Sequence, residues 1–233
     1  MMEFTTNIAA DLHLEPGQDI TGPAYKLISE SRLVPLILAG DTFNILRNGR
    51  EKYRETVRRI SEVAGPNGNV MLLEGNHDPE DDLWWLVEKY SINHSLTVGT
   101  HMVVPIRDTY VLVTHGYQWC VQWGWGLDLI AQPLFNTVMK ISPRLWSWYA
   151  ERHGWSGPPV NEEQYHAVVL SVWAGALRHA SKNDCRVIVG HTHKLGGVVE
   201  MFDYGLDYVM ANPAPLRLGS YIQVTDKIEV KKL

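Results

Sequence analysis

The sequence has 233 residues, of which 45% are hydrophobic and 20% charged, and its formal net charge is −5 at pH 7. This length suits one domain with room for an inserted segment, so we expect residues 1–233 to form a single domain with a sizeable core. The acidic balance argues against long nucleic acid as a partner, which usually needs a basic surface. It is compatible with a small phosphate-containing substrate, because bound cations can reverse the local field.

The number and spacing of the cysteines, together with the hydropathy of the chain, indicate the cellular compartment of the protein. Cys120 and Cys185 are the two cysteines, and neither belongs to a C-x-x-C pair, so we predict free thiols and a buried Cys185. The N-terminal residues show no charged segment followed by an apolar one, and no apolar run has the length of a membrane span. We therefore expect a cytoplasmic protein without a transmembrane segment.

Short apolar runs, each followed by polar residues, predict buried strands. In chain order these runs cover residues 4–10, 33–39, 70–73, 110–113 and 186–189. Helical spacing or helix-start residues occur at 23–31, 50–64 and 79–90. The alternation of strands and helices is typical of βαβ units and predicts an α/β fold.

Residues 116–182 differ from the segments on either side, because their pattern is mostly helical and they are rich in tryptophan. They contain Trp119, Trp123, Trp125, Trp146, Trp148, Trp155 and Trp173. We interpret this segment as a helical cap insertion beside the functional site. Its tryptophans have two interpretations: they form the core of the cap, or they line an apolar pocket for a lipid or a nucleotide base. Tryptophan also suits a peripheral contact with a membrane surface.

The C-terminal part of the chain has the pattern of short strands joined by tight turns. The predicted strands are residues 196–201, 207–211, 220–224 and 228–232. Residues 225–227 have the composition of a hairpin loop. We expect these strands to form a second, more antiparallel sheet.

Asp, Asn and His residues cluster directly after the apolar runs. The clusters read Asp11-Leu12-His13, Gly40-Asp41, Gly75-Asn76-His77-Asp78, His115-Gly116 and Gly190-His191-Thr192-His193. Ligands of open α/β sheets bind beyond the carboxyl ends of the strands, so these clusters should meet at one rim. Carboxylates and imidazoles suit zinc, manganese, iron or cobalt. A single Asp-x-His or Gly-Asp is a weak signal, and the joint occurrence of all five clusters supports a metal site.

In this order the clusters resemble the signature of the calcineurin-like metallophosphoesterases, which reads D-x-H, G-D, G-N-H-D/E, H-G and G-H-x-H. The resemblance extends from the N-terminus to about residue 193. It implies a four-layer αββα sandwich of two mixed β-sheets flanked by helices, with a metal centre at one edge. The helical cap of residues 116–182 would be an insertion in that fold.

The resemblance also implies site residues and cofactors. Two divalent metal ions would be bridged by Asp41, and manganese is the expected metal, with iron, zinc, cobalt or nickel as alternatives. The implied metal ligands are Asp11, His13, Asp41 and His193 for one ion, and Asp41, Asn76, His115 and His191 for the other. His77 would act as a general acid or stabilise the transition state. Asp78 would either orient His77 or cap the helix that starts near Pro79.

The implied activity is hydrolysis of a phosphodiester or phosphoanhydride by a metal-bound hydroxide. Two alternatives stay open: a phosphomonoesterase that acts on a small molecule or a protein, and a non-catalytic metal-binding scaffold. The helical insertion after His115-Gly116 is similar to that of the UDP-diacylglucosamine pyrophosphohydrolases, a family that usually has arginine at the position of His77. The expected substrate is a small phosphate ester, either nucleotide-linked or lipid-linked. Candidate phosphate contacts are Arg47, Arg50, Arg144, Arg152 and Lys194.

Overall fold

A computed structural model describes residues 5–107, 109–119, 162–192, 197–203, 206–212 and 219–233. The strands of these residues are β1 Thr6–Ala9, β2 Leu36–Ala39, β3 Val70–Leu73, β4 Leu96–Gly99, β5 His101–Ile106, β6 Thr109–Thr114, β7 Arg186–Val189, β8 Gly197–Asp203, β9 Leu206–Asn212, β10 Ser220–Val224 and β11 Ile228–Lys232. Their α-helices are α1 Gly22–Glu30, α2 Ile45–Asn48, α3 Arg54–Ala64, α4 Glu80–Tyr90 and α5 Glu162–Asn183. Two short 3-10 helices cover Arg50–Tyr53 and Tyr117–Trp119.

The strands form two mixed sheets. The first has the order β11-β10-β1-β2-β3-β4, in which β1 to β4 run parallel and β10 pairs antiparallel with β1. The second has the order β5-β6-β7-β9-β8, in which β6, β7 and β9 run parallel. In both sheets the parallel strands therefore have their carboxyl ends on a common edge.

Period-two alternation along the strands builds a layered core. Ile37 of β2 lies in the cluster between the two sheets, whereas Leu36 and Leu38 lie in the cluster formed with α1, α3 and α4. In β7, Ile188 faces the first sheet and Val187 packs with residues of α5. Because successive side chains of a strand point to opposite faces, each sheet is buried on both sides. The result is the αββα order of layers that we expected.

Strand and helix positions agree with the sequence patterns within a few residues, and β3, β7, β10 and β11 match them in full. The expectation of a separate antiparallel C-terminal sheet is wrong. Strands β10 and β11 extend the first sheet, while β8 and β9 extend the second. The hydropathy pattern cannot distinguish these cases, because hairpins that add to an existing sheet edge have the same alternation. Strands β4 and β5, at residues 96–106, were missed.

The predicted cap falls partly inside the described structure. Helix α5 covers its C-terminal portion, and the 3-10 helix Tyr117–Trp119 covers its start. Trp119 and Trp173 pack against the cluster between β6, β7 and α5, as core residues would. Residues 120–161, which include Cys120 and the other five tryptophans of the segment, lie outside the described residues, so the cap stays a prediction.

The state of Cys185 and the hydropathy of the helices were also predicted from the sequence. Cys185 is buried and forms no disulfide, as predicted for a core thiol. Within the described ranges, none of the helices combines the length and the apolar character that crossing a bilayer requires.

Candidate metal centre

Side chains from both sheets converge beyond the carboxyl ends of their strands. Asp11 follows β1, Asp41 follows β2, and Asn76 follows β3, all in the first sheet. His115 follows β6 and His191 follows β7, in the second sheet. The parallel direction of these strands brings five chain segments to one rim, as the sequence predicted.

His115 is at the centre of one half of this rim. Its Nε2 lies 3.0 Å from Asn76 Oδ1, 3.2 Å from Asp41 Oδ2 and 3.2 Å from His191 Nδ1. Its Nδ1 lies 3.0 Å from the carbonyl oxygen of Ala39 in β2. Because a carbonyl can only accept, Nδ1 carries a proton, and Nε2 of the neutral ring faces the other atoms with its lone pair.

This arrangement requires a positive charge. The side-chain oxygens of Asp41 and Asn76 and the Nε2 atom of His115 all present lone pairs to one another. Lone pairs at this distance repel, so either a proton or a metal cation must lie between these three atoms. Burial acts to lower the pKa of His115, but Asp41 raises it to about 9 by its charge and by a hydrogen bond. Burial acts to raise the pKa of Asp41, but the nearby His115 and His77 hold it well below its usual value.

The other half of the rim contains His13 and His77. The His13 and His77 rings meet edge to face, with centroids 5.2 Å apart. His77 donates its backbone N–H to Asp41 Oδ1 at 2.9 Å, and its Nε2 lies 3.9 Å from Asp41 Oδ2. The imidazole of His77, which is not among the ligands that the sequence motifs imply, therefore lies beside the position expected for the first cation.

The donor atoms fit a pair of divalent cations. Two groups of side chains offer ligand atoms that all lie within 4.8 Å of one another: His13, Asp41 and His77 in one, and Asp41, His115 and His191 in the other. Asp41 is common to both groups. Imidazole nitrogen and carboxylate oxygen suit first-row metals such as manganese, iron, cobalt and zinc.

The backbone is strained at the same residues. Positive φ angles occur at Asp11 (54°), His13 (47°), Asp41 (50°) and His191 (63°). The left-handed region costs non-glycine residues of order 1–2 kcal/mol, and such strain concentrates at functional sites. Each of these turns lies just beyond a strand end and directs the following polar segment across the rim.

Asp78 lies underneath Asp41. Its carboxylate is fully buried and accepts the backbone N–H of Asp41 at 2.9 Å and that of Phe43 at 3.1 Å. Burial and the charge of Asp41 raise the pKa of Asp78 well above its usual value. Asp78 does not cap the following helix, because the N-cap of α4 is Pro79 and has no side-chain cap bond. The helix-capping alternative for Asp78 is therefore wrong, and its hydrogen bonds instead fix the loop that contains Asp41.

Two glycines of the motifs are required by close packing. A Cβ at Gly75 would lie 2.1 Å from Asp41 Oδ1, and one at Gly40 would lie 2.5 Å from the His115 ring. Gly40 also has a φ of +84°. Any side chain at these positions would displace a proposed ligand, so the glycines allow the strand ends to approach one another.

Several polar residues near the rim were not identified from the sequence. Tyr117 donates a hydrogen bond from its hydroxyl to Glu74 Oε1 at 3.3 Å, and burial and Glu74 raise its pKa. Asn44 contacts the ring of His13 at 3.1 Å. Glu74 directly precedes one motif, Tyr117 directly follows another, and Asn44 lies three residues after Asp41. Nearness to a motif is the only signal that the sequence offers for these residues.

The remaining predictions concern Asp11, His193 and the basic residues that are candidate phosphate contacts. Asp11 is buried, and its Oδ1 accepts the backbone N–H of His191 at 3.2 Å. His193 lies outside the described residues, as do Arg144, Arg152 and Lys194. Arg50 forms an ion pair with Asp82 at 2.9 Å and stacks over Trp85, which is a structural contact.

Comparison with solved structures identifies the fold. A dimetal phosphatase from Danio rerio is 12% identical, with 98% of this chain and 95% of that chain covered and a TM-score of 0.52. A phosphoesterase-like protein from Streptococcus pneumoniae is 14% identical, with 100% and 90% covered and a TM-score of 0.42. Vacuolar protein sorting 29 from Cryptosporidium parvum is 13% identical, with 99% and 97% covered and a TM-score of 0.43.

No protein-family model and no curated protein matches the sequence. The likeness to the Danio rerio protein shows the fold, and the two mixed sheets flanked by helices are consistent with the metallophosphoesterase fold. The described residues of the five motifs that carried the resemblance lie beyond the carboxyl ends of strands of this fold.

Proposed function

We propose that this chain is a metal-dependent phosphoesterase that hydrolyses a phosphodiester or a phosphoanhydride. The observation that carries the proposal is the pair of ligand groups that share the buried carboxylate of Asp41. Two divalent cations bound there would supply an activated water at neutral pH and neutralise charge on the phosphoryl oxygens. Asp11, His13, Asp41 and His193 would hold the first ion, and Asn76, His115 and His191 would complete the second with Asp41.

The protein groups have separate tasks in this reaction. Asp41 joins the two ligand groups, and Asp78 holds the loop that contains Asp41 by accepting the backbone N–H groups of Asp41 and Phe43. His77 would touch the substrate: after the attacking water has lost one proton to solvent, its oxygen bonds to phosphorus while the bond to the leaving oxygen breaks, and His77 Nε2 gives its proton to that leaving oxygen. The partly exposed ring of His77 and its nearness to Asp41 support this role.

The basic test is hydrolysis of bis-p-nitrophenyl phosphate by the metal-free protein reconstituted with Mn²⁺. We expect turnover that Asp41→Asn reduces by more than about 100-fold, because even partners that only support ligands contribute 10–100-fold. Glu55→Ala, which removes an exposed charge on α3, is the matched control and should retain activity. Stoichiometric Mn²⁺ binding without turnover on any ester would instead favour a metal-binding scaffold.

Substrate class needs a panel of esters. Faster hydrolysis of p-nitrophenyl phosphate than of the diester would favour a phosphomonoesterase. Nucleotide pyrophosphates and a lipid-linked pyrophosphate belong in the panel, because the tryptophan-rich segment of residues 116–182 is the candidate binding element for an apolar substituent. Replacing Mn²⁺ with Fe²⁺, Zn²⁺, Co²⁺ or Ni²⁺ in the same assay identifies the metals that support activity.

A further inference from the structure

A chain of hydrogen-bonded polar side chains extends from Nδ1 of His13. His13 Nδ1 is 3.1 Å from Asn44 Oδ1. Asn44 Nδ2 donates to Glu15 Oε1 at 2.8 Å, and Asn48 Nδ2 donates to Glu15 Oε2 at 2.9 Å. Each carboxylate oxygen of Glu15 thus accepts from a different amide, and the hydrogen bonds link the loop after β1 to helix α2.

The donor and acceptor properties of Glu15 and Asn44 determine which nitrogen of the His13 ring carries the proton. An ionised carboxylate can only accept, so the Asn44 atom beside Glu15 must be the NH₂ group. The Oδ1 of Asn44 therefore faces His13, and because an amide oxygen can only accept, His13 Nδ1 must carry the proton. In the neutral ring this leaves the lone pair on Nε2.

The orientation of Asn44 has a second anchor. Its backbone N–H donates to the hydroxyl of Tyr53 at 3.1 Å, and Asn48 Nδ2 donates to the same hydroxyl at 2.9 Å. Tyr53 is fully buried in the core between the first sheet and its helices, and Asn44 is buried as well. The amide of Asn44 is thereby held from its backbone and from its side chain.

We propose that Glu15 and Asn44 are positioning residues that hold His13 as the Nδ1–H tautomer and so select Nε2 as the atom it offers to a cation. Hydrogen bonds of this kind behind a ligand fix its ring and raise its basicity, and their loss typically lowers metal affinity about 10–100-fold. The metal part rests on the proposed function, whereas the tautomer is a property of the metal-free protein.

The first experiment records the ring ¹⁵N shifts of the histidines in the metal-free protein at about pH 8, above the ordinary histidine pKa. His13→Gln identifies the His13 signals by their loss. We expect the Nδ1–H tautomer in the unmodified chain and in the Glu55→Ala control, and a shift toward Nε2–H in Asn44→Ala and Glu15→Ala. A wild-type His13 with its proton on Nε2, or an Asn44→Ala spectrum identical to wild type, would overturn the proposal.

The second experiment titrates Mn²⁺ into the same metal-free variants by calorimetry. Glu15→Ala and Asn44→Ala should weaken one binding event about 10–100-fold and leave the other unchanged, whereas a purely structural link between the loops would lower only the melting temperature. If the tautomer shifts as expected but the unmodified protein binds no Mn²⁺ and hydrolyses no ester, the proposed function fails while the positioning role of Asn44 stands. Unchanged affinity in both variants, with metal bound by the wild type, would contradict the positioning of a ligand.

Discussion

His115 connects the two sheets through a single imidazole. It follows β6 of the second sheet, yet its Nδ1 donates to Ala39 in β2 of the first, and its Nε2 points at Asp41. The ring is fully buried. Without a cation the site can accommodate it only by binding a proton, which is the physical reason that its pKa rises to about 9.

A pH dependence of stability follows for the metal-free protein. The folded pKa of His115, about 9, lies above the unfolded value near 6.5, so the folded state holds more protons between these values. The stabilising contribution is fully present below about pH 6.5 and is lost as the pH rises through about 9. We expect the melting temperature in EDTA to fall across this window, and His115→Asn should flatten the slope. A melting temperature that rises with pH from 6.5 to 9 would contradict this assignment.

Metal binding should show the opposite trend with pH. The cation must displace the proton from His115 Nε2, so Mn²⁺ affinity is expected to increase as the pH rises.

The role of His77 can be separated from that of the ligands. His77→Ala should lower kcat about 100-fold or more, as the loss of a general acid does, while the Mn²⁺ content measured after gel filtration stays near that of the unmodified protein. His13→Ala is the contrasting variant, because it should lose both activity and metal. Loss of metal in His77→Ala would make His77 a ligand, which its distance to Asp41 and His13 allows.

At the scale of elements, helix α4 supports the loop that carries the third motif. The helix begins after Pro79, and the acidic Glu80, Asp81 and Asp82 lie in its first turn, where they complement the helix dipole. Leu83 and Leu86 are fully buried against the first sheet. The helix therefore anchors residues 75–78 from one side while β3 fixes them from the other.

This anchoring predicts a contrast between two neighbouring positions of α4. Leu83 is 0% exposed and Trp84 is 49% exposed. Leu83→Ala should reduce the free energy of unfolding by about 2–5 kcal/mol, since it removes a buried side chain and leaves a cavity. Trp84→Ala should change it by less than about 0.5 kcal/mol. Urea denaturation measures both, and equal losses would show that Trp84 is covered by another part of the chain.

At the scale of the whole molecule, metal binding should stabilise the sandwich, because the proposed ligands come from both sheets. A ligand present at 100 times its dissociation constant adds about 2.7 kcal/mol, and each kcal/mol raises the melting temperature of a chain of this size by about 2–4 °C. We therefore expect saturating Mn²⁺ to raise the melting temperature by about 5–10 °C. Asp41→Asn should abolish most of this shift, and a similar shift in that variant would show that the ions bind elsewhere.

Much of the fold and the site follows from local sequence. The runs 70–73 and 186–189 are short, apolar and bounded by polar residues, and the bounds of their strands agree with the sequence pattern. The ligand candidates follow strands at a fixed place, which allowed Asp11, Asp41, Asn76, His115 and His191 to be grouped before any contact was known.

The sequence by itself determined most of the strands and helices and the residue types of the candidate metal centre, because burial on both faces and a position at a strand end are visible in the pattern of a few consecutive residues. Only the tertiary structure decided which sheet the C-terminal hairpins join. It also revealed that Asp78 supports the loop of Asp41, and that Asn44 and Glu15 form a hydrogen-bonded chain with His13. These depend on contacts between segments about 30 residues or more apart, such as Asn44 with His13 and Asp78 with Asp41. Hydrogen-bond partners at such separations follow from how the strand ends meet in space, which no local pattern records.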